Sequence, residues 1–283
     1  MSRIAYVNGR YVPHRMAGVH IEDRGYQFAD GVYEVIAVRG GQLMDLDPHF
    51  DRLNRSLDAL KIAQPMSRGA LAVVVHQTVR RNLVRDGIVY MQITRGVSPR
   101  SHPFPLASDP AVVVTARTIA PPSAEIIKNG ARVVTMPDIR WGRCDIKSIA
   151  LLPNILAKQH AVESGGYEAW LVDEGGYVTE GSASNAWIVN SEGALVTRDL
   201  STAILGGITR SAVLKACAAH GIAVLQGRFT PKEAKNGREA MITSTTSFVA
   251  PVVDIDGSKV GNGRPGPVFR RLRALYMVHL NPL

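Results

Sequence analysis

The 283-residue sequence contains only two cysteines, Cys144 and Cys217, and only eight lysines. Two cysteines are too few for a disulfide framework or a four-cysteine zinc site. No apolar run approaches the roughly 18 to 20 residues of a membrane span, and the N-terminal residues lack a charged-then-apolar signal pattern. The eight histidines have no metal-ligand spacing, so we predict no metal site. We therefore expect a soluble, cytoplasmic protein that does not bind a membrane.

Common nucleotide-binding and hydrolase motifs are also missing. No G-x-G-x-x-G follows a predicted strand, no glycine-rich loop ends in Gly-Lys-Ser or Gly-Lys-Thr, and G-x-S-x-G is absent. The formal net charge is +9, but the basic residues are spread along the chain and form no known nucleic-acid motif. We assign most of this charge to solvated surface and expect no nucleic-acid partner.

Hydrophobic patterning predicts an α+β protein. Asn8-Gly9 lies between two short apolar runs, an arrangement typical of a β-hairpin. Apolar residues at helical spacing predict one helix from Asp47 to about Ile62, with Asp47 as its N-cap, and another from Ser67 to about Arg85. Hairpin signals alternate irregularly with helices, which favours α+β over a doubly wound sheet.

A segment around Pro121-Pro122 has adjacent prolines and no periodicity, and it predicts a linker. We expect a small N-terminal domain over residues 1–118, a linker over 119–127 and a larger C-terminal domain over 128–283. No repeats or low-complexity tracts divide the chain further.

Three features suit the binding of an anion. The segment 205–209, Leu-Gly-Gly-Ile-Thr, places two glycines before a predicted helix, where free backbone N–H groups attract phosphate. Taken alone, this pattern is more often an ordinary junction between a loop and a helix. The hydroxyl residues 244–247 close a strand and either bind phosphate or cap a turn. Arg52, on the first helix, is either an anion ligand or a surface charge.

A lysine and a glutamate complete a candidate cofactor site. Lys147 lies between Ile146 and Ile149, where little water is expected, and a desolvated lysine has a lowered pKa and can form a Schiff base. A lone lysine of this kind more often keeps its ammonium in water. Glu180 precedes a glycine at a strand end, where it either caps a turn or pairs with a protonated ring nitrogen. A reactive lysine, a phosphate cradle and an acid for a pyridine nitrogen are together what pyridoxal 5′-phosphate requires.

These segments resemble those of the class IV, or fold-type IV, pyridoxal-phosphate aminotransferases. The matching stretches are Glu22–Val35, His49–Leu53, Thr94–His102, Arg143–Ser148, Val178–Gly181, Gly207–Arg210 and Thr243–Thr246. They lie in the expected order along nearly the whole chain, and within the family they are most similar to the D-amino-acid transaminases. The resemblance implies a two-domain α+β fold with the cofactor at the domain interface, and a homodimer.

The resemblance also implies a role for each candidate cofactor ligand. Lys147 would hold pyridoxal 5′-phosphate through a Schiff base and move the proton at the substrate Cα. Glu180 would pair with the pyridine nitrogen and keep the ring an electron sink. Leu205 would pack against the ring face. The phosphate ligands would be Arg52, the backbone N–H groups of Ile208 and Thr209, and the Thr245 hydroxyl.

Substrate selectivity rests on a narrower resemblance. In D-amino-acid transaminases a tyrosine of one subunit, with an arginine and a histidine of the other, binds the substrate carboxylate; the matching residues are Tyr33, Arg100 and His102. Ala183 stands where the D-specific relatives have a serine. The predicted reaction transfers the amino group of a D-amino acid, D-alanine first, to a 2-oxo acid, 2-oxoglutarate first, giving pyruvate and D-glutamate. The alternatives are a branched-chain L-aminotransferase, a lyase similar to aminodeoxychorismate lyase, and a non-enzymatic binding protein.

Overall fold

The computed structural model describes residues 3–120 and 123–280. Within these residues the chain forms two compact units. The first contains the residues up to 120 together with Ile146–Ala150, and the second contains residues 123–145 and 151–280. No described helix is long and apolar enough to cross a lipid bilayer.

The first unit is a six-stranded sheet with two helices of 14 residues. Its elements are β1 (Ile4–Val7), β2 (Arg10–Pro13), a 3₁₀ turn (His14–Met16), α1 (Arg24–Phe28), β3 (Gly31–Arg39), β4 (Gln42–Leu43), α2 (Leu46–Ala59), α3 (Arg68–Arg81), β5 (Gly87–Thr94) and β6 (Ala111–Thr118). The strand order is β2-β1-β6-β5-β3-β4. Every neighbouring pair is antiparallel.

The predicted hairpin at Asn8-Gly9 is confirmed. Asn8 and Gly9 have φ angles of 43° and 89°, and two successive left-handed residues are what a type I′ turn requires. The prediction that Asp47 caps α2 is wrong, because the helix begins at Leu46 with Asp45 at its N-cap position. α3 ends at Arg81, earlier than predicted, and the left-handed Leu83 (φ 53°) soon afterwards is incompatible with a continuing helix.

Apolar faces of α2 and α3 form the core of the first unit with the sheet. Leu53 and Leu57 of α2, Val75 of α3, Ile36 of β3 and Val89 of β5 are all almost completely buried in one cluster. Burial of such side chains is the main favourable contribution to folding. The predicted helical spacing of α2 therefore gives the correct buried face.

The second unit is a nine-stranded mixed sheet with helices. Its elements are α4 (Ala124–Asn129), β7 (Ala131–Pro137), α5 (Leu152–Glu163), β8 (Glu168–Val172), β9 (Val178–Gly181), β10 (Asn185–Val189), β11 (Leu195–Thr197), α6 (Ile208–Ala219), β12 (Val224–Gln226), α7 (Pro231–Lys235), β13 (Glu239–Ser244), β14 (Phe248–Ile255), β15 (Ser258–Lys259) and α8 (Pro267–Leu280). The main strand order is β12-β11-β10-β13-β14-β7-β8-β9, and β15 pairs with β14.

Parallel and antiparallel pairs coexist in this second sheet. β7 is parallel to both β14 and β8, and β11 is parallel to β12, whereas β10, β13 and β14 are joined by antiparallel pairing. Trp170 and Trp187 are completely buried. The predicted α+β class is confirmed, since helices and a mixed sheet replace the regular alternation of a doubly wound fold.

The boundary between the units differs in detail from the predicted domains. The predicted linker, 119–127, is helical from Ala124 onward, because the Ser123 side chain caps α4; Pro121 and Pro122 lie outside the described residues. Ile146–Ala150, assigned by the sequence to the second domain, belong to the first unit. There Ser148 forms an antiparallel bridge with Val32. The domain bounds themselves stay a prediction.

Two valines on α3 provide a matched test of the first core. Val75 is 0% exposed and Val73 is 59% exposed. Val75→Ala should lower the free energy of unfolding by roughly 2 kcal/mol, because two buried methyl groups are lost and a cavity remains. Val73→Ala should change it by less than about 0.5 kcal/mol. Urea denaturation followed by circular dichroism measures both, and equal effects would contradict the described packing.

Candidate functional site

Lys147 and Tyr33 lie together in the first unit. The Tyr33 backbone N–H, on β3, donates to the Lys147 carbonyl oxygen at 3.0 Å. The Lys147 backbone N–H donates to Ser56 Oγ at 3.2 Å, and Lys147 Nζ lies 4.1 Å from the centroid of the Tyr33 ring. Lys147 is half-buried beside the buried Ile146. Lys147, the candidate nucleophile, therefore lies beside Tyr33, one of the candidate residues for binding the substrate carboxylate.

Arg52 is buried in a charged network of the first unit. Its Nε and Nη2 donate to the two oxygens of Glu34, each at 2.7 Å. His49 Nδ1 lies 2.7 Å from Glu34 Oε2. Arg52 is 4% exposed and Glu34 is 0% exposed, so the interpretation of Arg52 as a surface charge is wrong. Its use as an anion ligand stays a prediction.

Electrostatics fixes the charge state of this network. Burial alone would raise the pKa of Glu34, but the charge and hydrogen bonds of Arg52, with a contribution from His49, lower it to about 2. Burial lowers the pKa of His49, although its hydrogen bond to Glu34 acts in the opposite direction. Glu34 is therefore ionised near pH 7, His49 is neutral, and the charge of Arg52 is compensated.

Arg100 and His102 lie on an exposed loop of the first unit. The Arg100 guanidinium carbon is 4.6 Å from the centroid of the Phe28 ring. The His102 ring centroid is 5.6 Å from the same ring. The structure thus brings these two predicted substrate ligands together on one aromatic side chain.

Glu180, on β9 of the second unit, is held by several donors. Arg140 Nη1 donates to Oε1 at 2.5 Å and Asn185 Nδ2 to Oε2 at 2.9 Å. The Leu205 backbone N–H is 3.1 Å from both oxygens. Burial would lower the pKa of Arg140, but Asp138 and Glu180 raise it. The buried carboxylate therefore faces a permanently charged guanidinium, and its orientation is fixed.

The predicted anion cradle is the N-terminus of α6. Gly207 occupies the N-cap position without a side-chain cap, and the following Ile208 and Thr209 are buried. The first N–H groups of a helix have no partner within it, and the helix dipole favours an anion there. A Cβ on Gly207 would lie 2.0 Å from Asn185 Oδ1. Glycine is therefore needed for the chain to pass Asn185 at the start of this helix.

Thr245 lies in the turn between β13 and β14. The hydroxyl of Ser244, the last residue of β13, accepts from the Ser247 backbone N–H at 2.9 Å, so it acts as a turn cap. Within the described parts of the chain, the half-buried Thr245 hydroxyl has no protein partner. The interpretation of these hydroxyls as turn caps therefore applies to Ser244, and the role of Thr245 as a phosphate ligand stays a prediction.

The chemistry of these donors fits pyridoxal 5′-phosphate. The uncapped first turn of α6 suits a phosphate dianion, the fixed carboxylate of Glu180 suits a protonated ring nitrogen, and the amine of Lys147 suits an aldehyde. Lys147 belongs to the first unit, whereas Glu180 and α6 belong to the second. Within residues 3–120 and 123–280, no group of three histidine, cysteine or acidic side chains could hold a metal ion.

The sequence analysis did not identify the side chains that hold Arg52 and Glu180 in position. His49 and Arg52 are three residues apart on α2, a spacing that places them on one face. Glu34 lies among mainly apolar residues of β3. A carboxylate in such a buried strand indicates that a positively charged side chain is buried beside it. Arg140 lies in a loop 40 positions before Glu180, so no periodic pattern reports their contact. Asn185 follows Glu180 by five residues, after the turn in which the Gly181 N–H donates to the Ser184 carbonyl.

Comparisons with known proteins agree with this chemistry. A family model described as amino-transferase class IV matches residues 31–255. The D-alanine aminotransferase of Bacillus licheniformis is 41% identical over 266 residues, which cover 94% of this chain and 93% of that protein. The D-alanine aminotransferase of Staphylococcus haemolyticus is 38% identical over 269 residues, covering 95% and 94%.

A solved structure has the same fold. The T.th. branched-chain amino acid aminotransferase with pyridoxamine 5′-phosphate aligns with a TM-score of 0.89 and 28% identity. The alignment covers 98% of this chain and 94% of that chain. The predicted fold type is therefore confirmed.

The stability of the Glu34 network should depend on pH. Glu34→Gln should lower the free energy of unfolding at pH 7 by roughly 3 kcal/mol, because Arg52 stays buried without its counter-charge. The folded-state pKa of about 2 lies below the usual 4.5. The stabilisation is therefore complete above pH 4.5 and is lost as the pH falls towards 2.

Urea denaturation at neutral pH and at several values between 4.5 and 2 tests this dependence. The difference between the unchanged protein and Glu34→Gln should shrink as the pH falls. Asp58→Asn, which changes an exposed carboxylate on α2, is the control and should show a small difference at every pH. A difference for Glu34→Gln that does not vary with pH would contradict the ionised state of Glu34.

Proposed function

Because the chain belongs to the class IV aminotransferases, enzymes that use pyridoxal 5′-phosphate, we propose that it transfers the amino group of a D-amino acid to a 2-oxo acid. D-alanine is the proposed donor and 2-oxoglutarate the proposed acceptor, so the products are pyruvate and D-glutamate. The relatives named D-alanine aminotransferase, similar over most of the chain, support this choice.

The contact between Lys147 and Tyr33 carries the proposal. Lys147 Nζ is 4.1 Å from the centroid of the Tyr33 ring. In an amino acid the carboxylate is bonded to the same carbon that carries the amino group and the hydrogen to be removed. A phenol beside the lysine can therefore hold the carboxylate while Nζ reaches the Cα proton.

The proposed cofactor ligands have distinct tasks. When bound, pyridoxal 5′-phosphate supplies an electron sink for the charge left on the substrate Cα. Lys147 Nζ would attach the cofactor and carry the Cα proton, and Glu180 would hold a proton on the ring nitrogen. The phosphate ligands would be Arg52, Ile208, Thr209 and Thr245, and Leu205 would pack against the ring.

Arg100 and His102 would select the substrate through its carboxylate. A guanidinium fork matches a carboxylate geometrically, and an imidazole N–H can add a further hydrogen bond. Both side chains are exposed on the first unit, and we assign them to the site of the other subunit in a homodimer. Met16, Ile21 and Leu106 in the same unit have exposed apolar side chains, which supports a second subunit that covers them.

Lys147→Ala should abolish covalent attachment of pyridoxal 5′-phosphate. Borohydride reduction followed by mass spectrometry of peptides detects the attached lysine. Lys215→Ala, which changes an exposed lysine of α6, is the matched control and should keep full attachment. A labelled peptide other than the one containing Lys147 would contradict the assignment.

Stereochemistry distinguishes the proposed reaction from its main alternative. The likeness to a branched-chain aminotransferase structure favours transamination of L-leucine as that alternative. The absorbance of the bound cofactor should change on mixing with D-alanine and not with L-leucine, because the half-reaction consumes the cofactor aldehyde. A change with L-leucine alone would replace the proposal by the branched-chain reaction.

A further inference from the structure

The loop that carries Arg100 and His102 is not held by its own backbone. Within the described residues, 99–106 form no helix or strand and make no backbone–backbone hydrogen bond. Prolines at positions 99, 103 and 105 remove three N–H donors. A defined position for the two side chains must therefore come from contacts outside the loop backbone.

Arg24, the first residue of α1, supplies such contacts to the loop backbone, and the Arg95 guanidinium carbon lies 3.6 Å from the centroid of the Phe104 ring. Its Nη1 donates to the Ser101 carbonyl oxygen at 2.5 Å and, at a longer 3.5 Å, to that of Pro103. Its Nη2 donates to the His102 carbonyl oxygen at 3.3 Å. Arg24 is only 3% exposed. One buried guanidinium thus binds three successive carbonyl groups of the loop.

Asp30 holds Arg24 from the opposite side and is shared with a second arginine. Arg24 Nε and Arg95 Nε both donate to Asp30 Oδ2 at 2.8 Å, and Arg95 Nη2 donates to Oδ1 at 3.0 Å. The remaining Arg95 donors bind the carbonyl oxygens of Leu60 and Lys61. Because one carboxylate serves two buried guanidinium groups, Arg24 needs the loop carbonyls as acceptors.

Phe28 links Arg24 to the side chains of the loop. Arg24 and Phe28 are the first and last residues of the five-residue helix α1, so they lie one turn apart on one face. The Arg24 guanidinium carbon is 4.8 Å from the Phe28 ring centroid, and Arg100 and His102 contact the same ring. One helical turn therefore binds both the backbone and the side chains of the loop.

We propose that Arg24 is a positioning residue that sets where Arg100 and His102 meet the substrate carboxylate. This inference rests on the proposed function, since it assumes that the two loop side chains bind that carboxylate. A lysine in place of Arg24 keeps the charge beside Asp30, but a single ammonium group lacks the planar fork that reaches three carbonyls.

A double-mutant cycle on the enzyme loaded with pyridoxal 5′-phosphate tests the proposal. The variants are Arg24→Met, Arg100→Ala and the combination of both. Arg68→Met, at the start of α3, removes a partly exposed arginine of the same unit and is the matched control. Single-turnover reactions with D-alanine, followed by cofactor absorbance, give the half-saturating concentration and the limiting rate separately.

Arg24→Met and Arg100→Ala should each raise the half-saturating D-alanine concentration roughly tenfold, with a smaller effect on the limiting rate. Since Arg24 acts through the loop side chains, the combined variant should show far less than the product of the two effects. Arg68→Met should match the unchanged enzyme in both quantities.

The outcomes separate this inference from the proposed function. If Arg100→Ala raises the half-saturating concentration while Arg24→Met does not, or if the two effects multiply, the positioning role is overturned and the proposed function stands. If Arg100→Ala leaves the half-saturating concentration unchanged, the carboxylate role in the proposed function fails first and this inference falls with it.

Tryptic cleavage after Arg100 gives a second readout that needs neither cofactor nor turnover. In the protein without cofactor, Arg24→Met should speed cleavage of the bond between Arg100 and Ser101, and Arg24→Lys should have an intermediate effect. Arg68→Met should cleave at the unchanged rate. Equal rates for Arg24→Met and the unchanged protein would overturn the proposal; if Arg24→Met does not fold, Arg24→Lys takes its place in both experiments.

Discussion

The buried pairing of Arg52 with Glu34 constrains what the first unit can present to a ligand. A guanidinium group in an apolar interior is tolerated only when a carboxylate and further acceptors surround it. Glu34 supplies both of its oxygens to Arg52, and His49 bonds one of them. The second unit uses the same arrangement, because Arg140 lies between Asp138 and Glu180. Charged residues of the candidate site are thus fixed by other protein groups.

This fixation bears on the chemistry of transamination. An electrostatic environment stabilises a developing charge most effectively when its dipoles and charges need not reorient during the reaction. Glu180 accepts from a guanidinium, a side-chain amide and a backbone N–H, so its orientation is determined by the fold. Asn185 also contributes to the shape of the predicted anion cradle, because its side chain lies where a Cβ of residue 207 would be.

Local features were predicted from the sequence more successfully than the partners of the site residues. The Asn8-Gly9 hairpin and the buried face of α2 depend on neighbouring residues, and both are confirmed. The predicted N-cap of α2 was wrong, because the helix begins at Leu46, directly after a left-handed Asp45 (φ 51°). The Arg140–Glu180 pair joins residues 40 positions apart, and no periodic pattern reports a contact of that kind. The roles that the family resemblance implies for individual site residues stay predictions.

The short segment Ile146–Ala150 has a consequence for any dissection of the chain. It belongs to the first unit, although the residues before and after it belong to the second. Its backbone bonds to the start of β3, where the Ile149 N–H donates to the Gly31 carbonyl and the Lys147 carbonyl accepts from Tyr33. A fragment that stops at residue 120 would lose these partners, and a fragment that starts at residue 123 would carry Lys147 without them. Ile146 packs in the core of the first unit and the Lys147 N–H donates to the Ser56 hydroxyl, so a chimaera between relatives should take this lysine segment from the same parent as the first 120 residues.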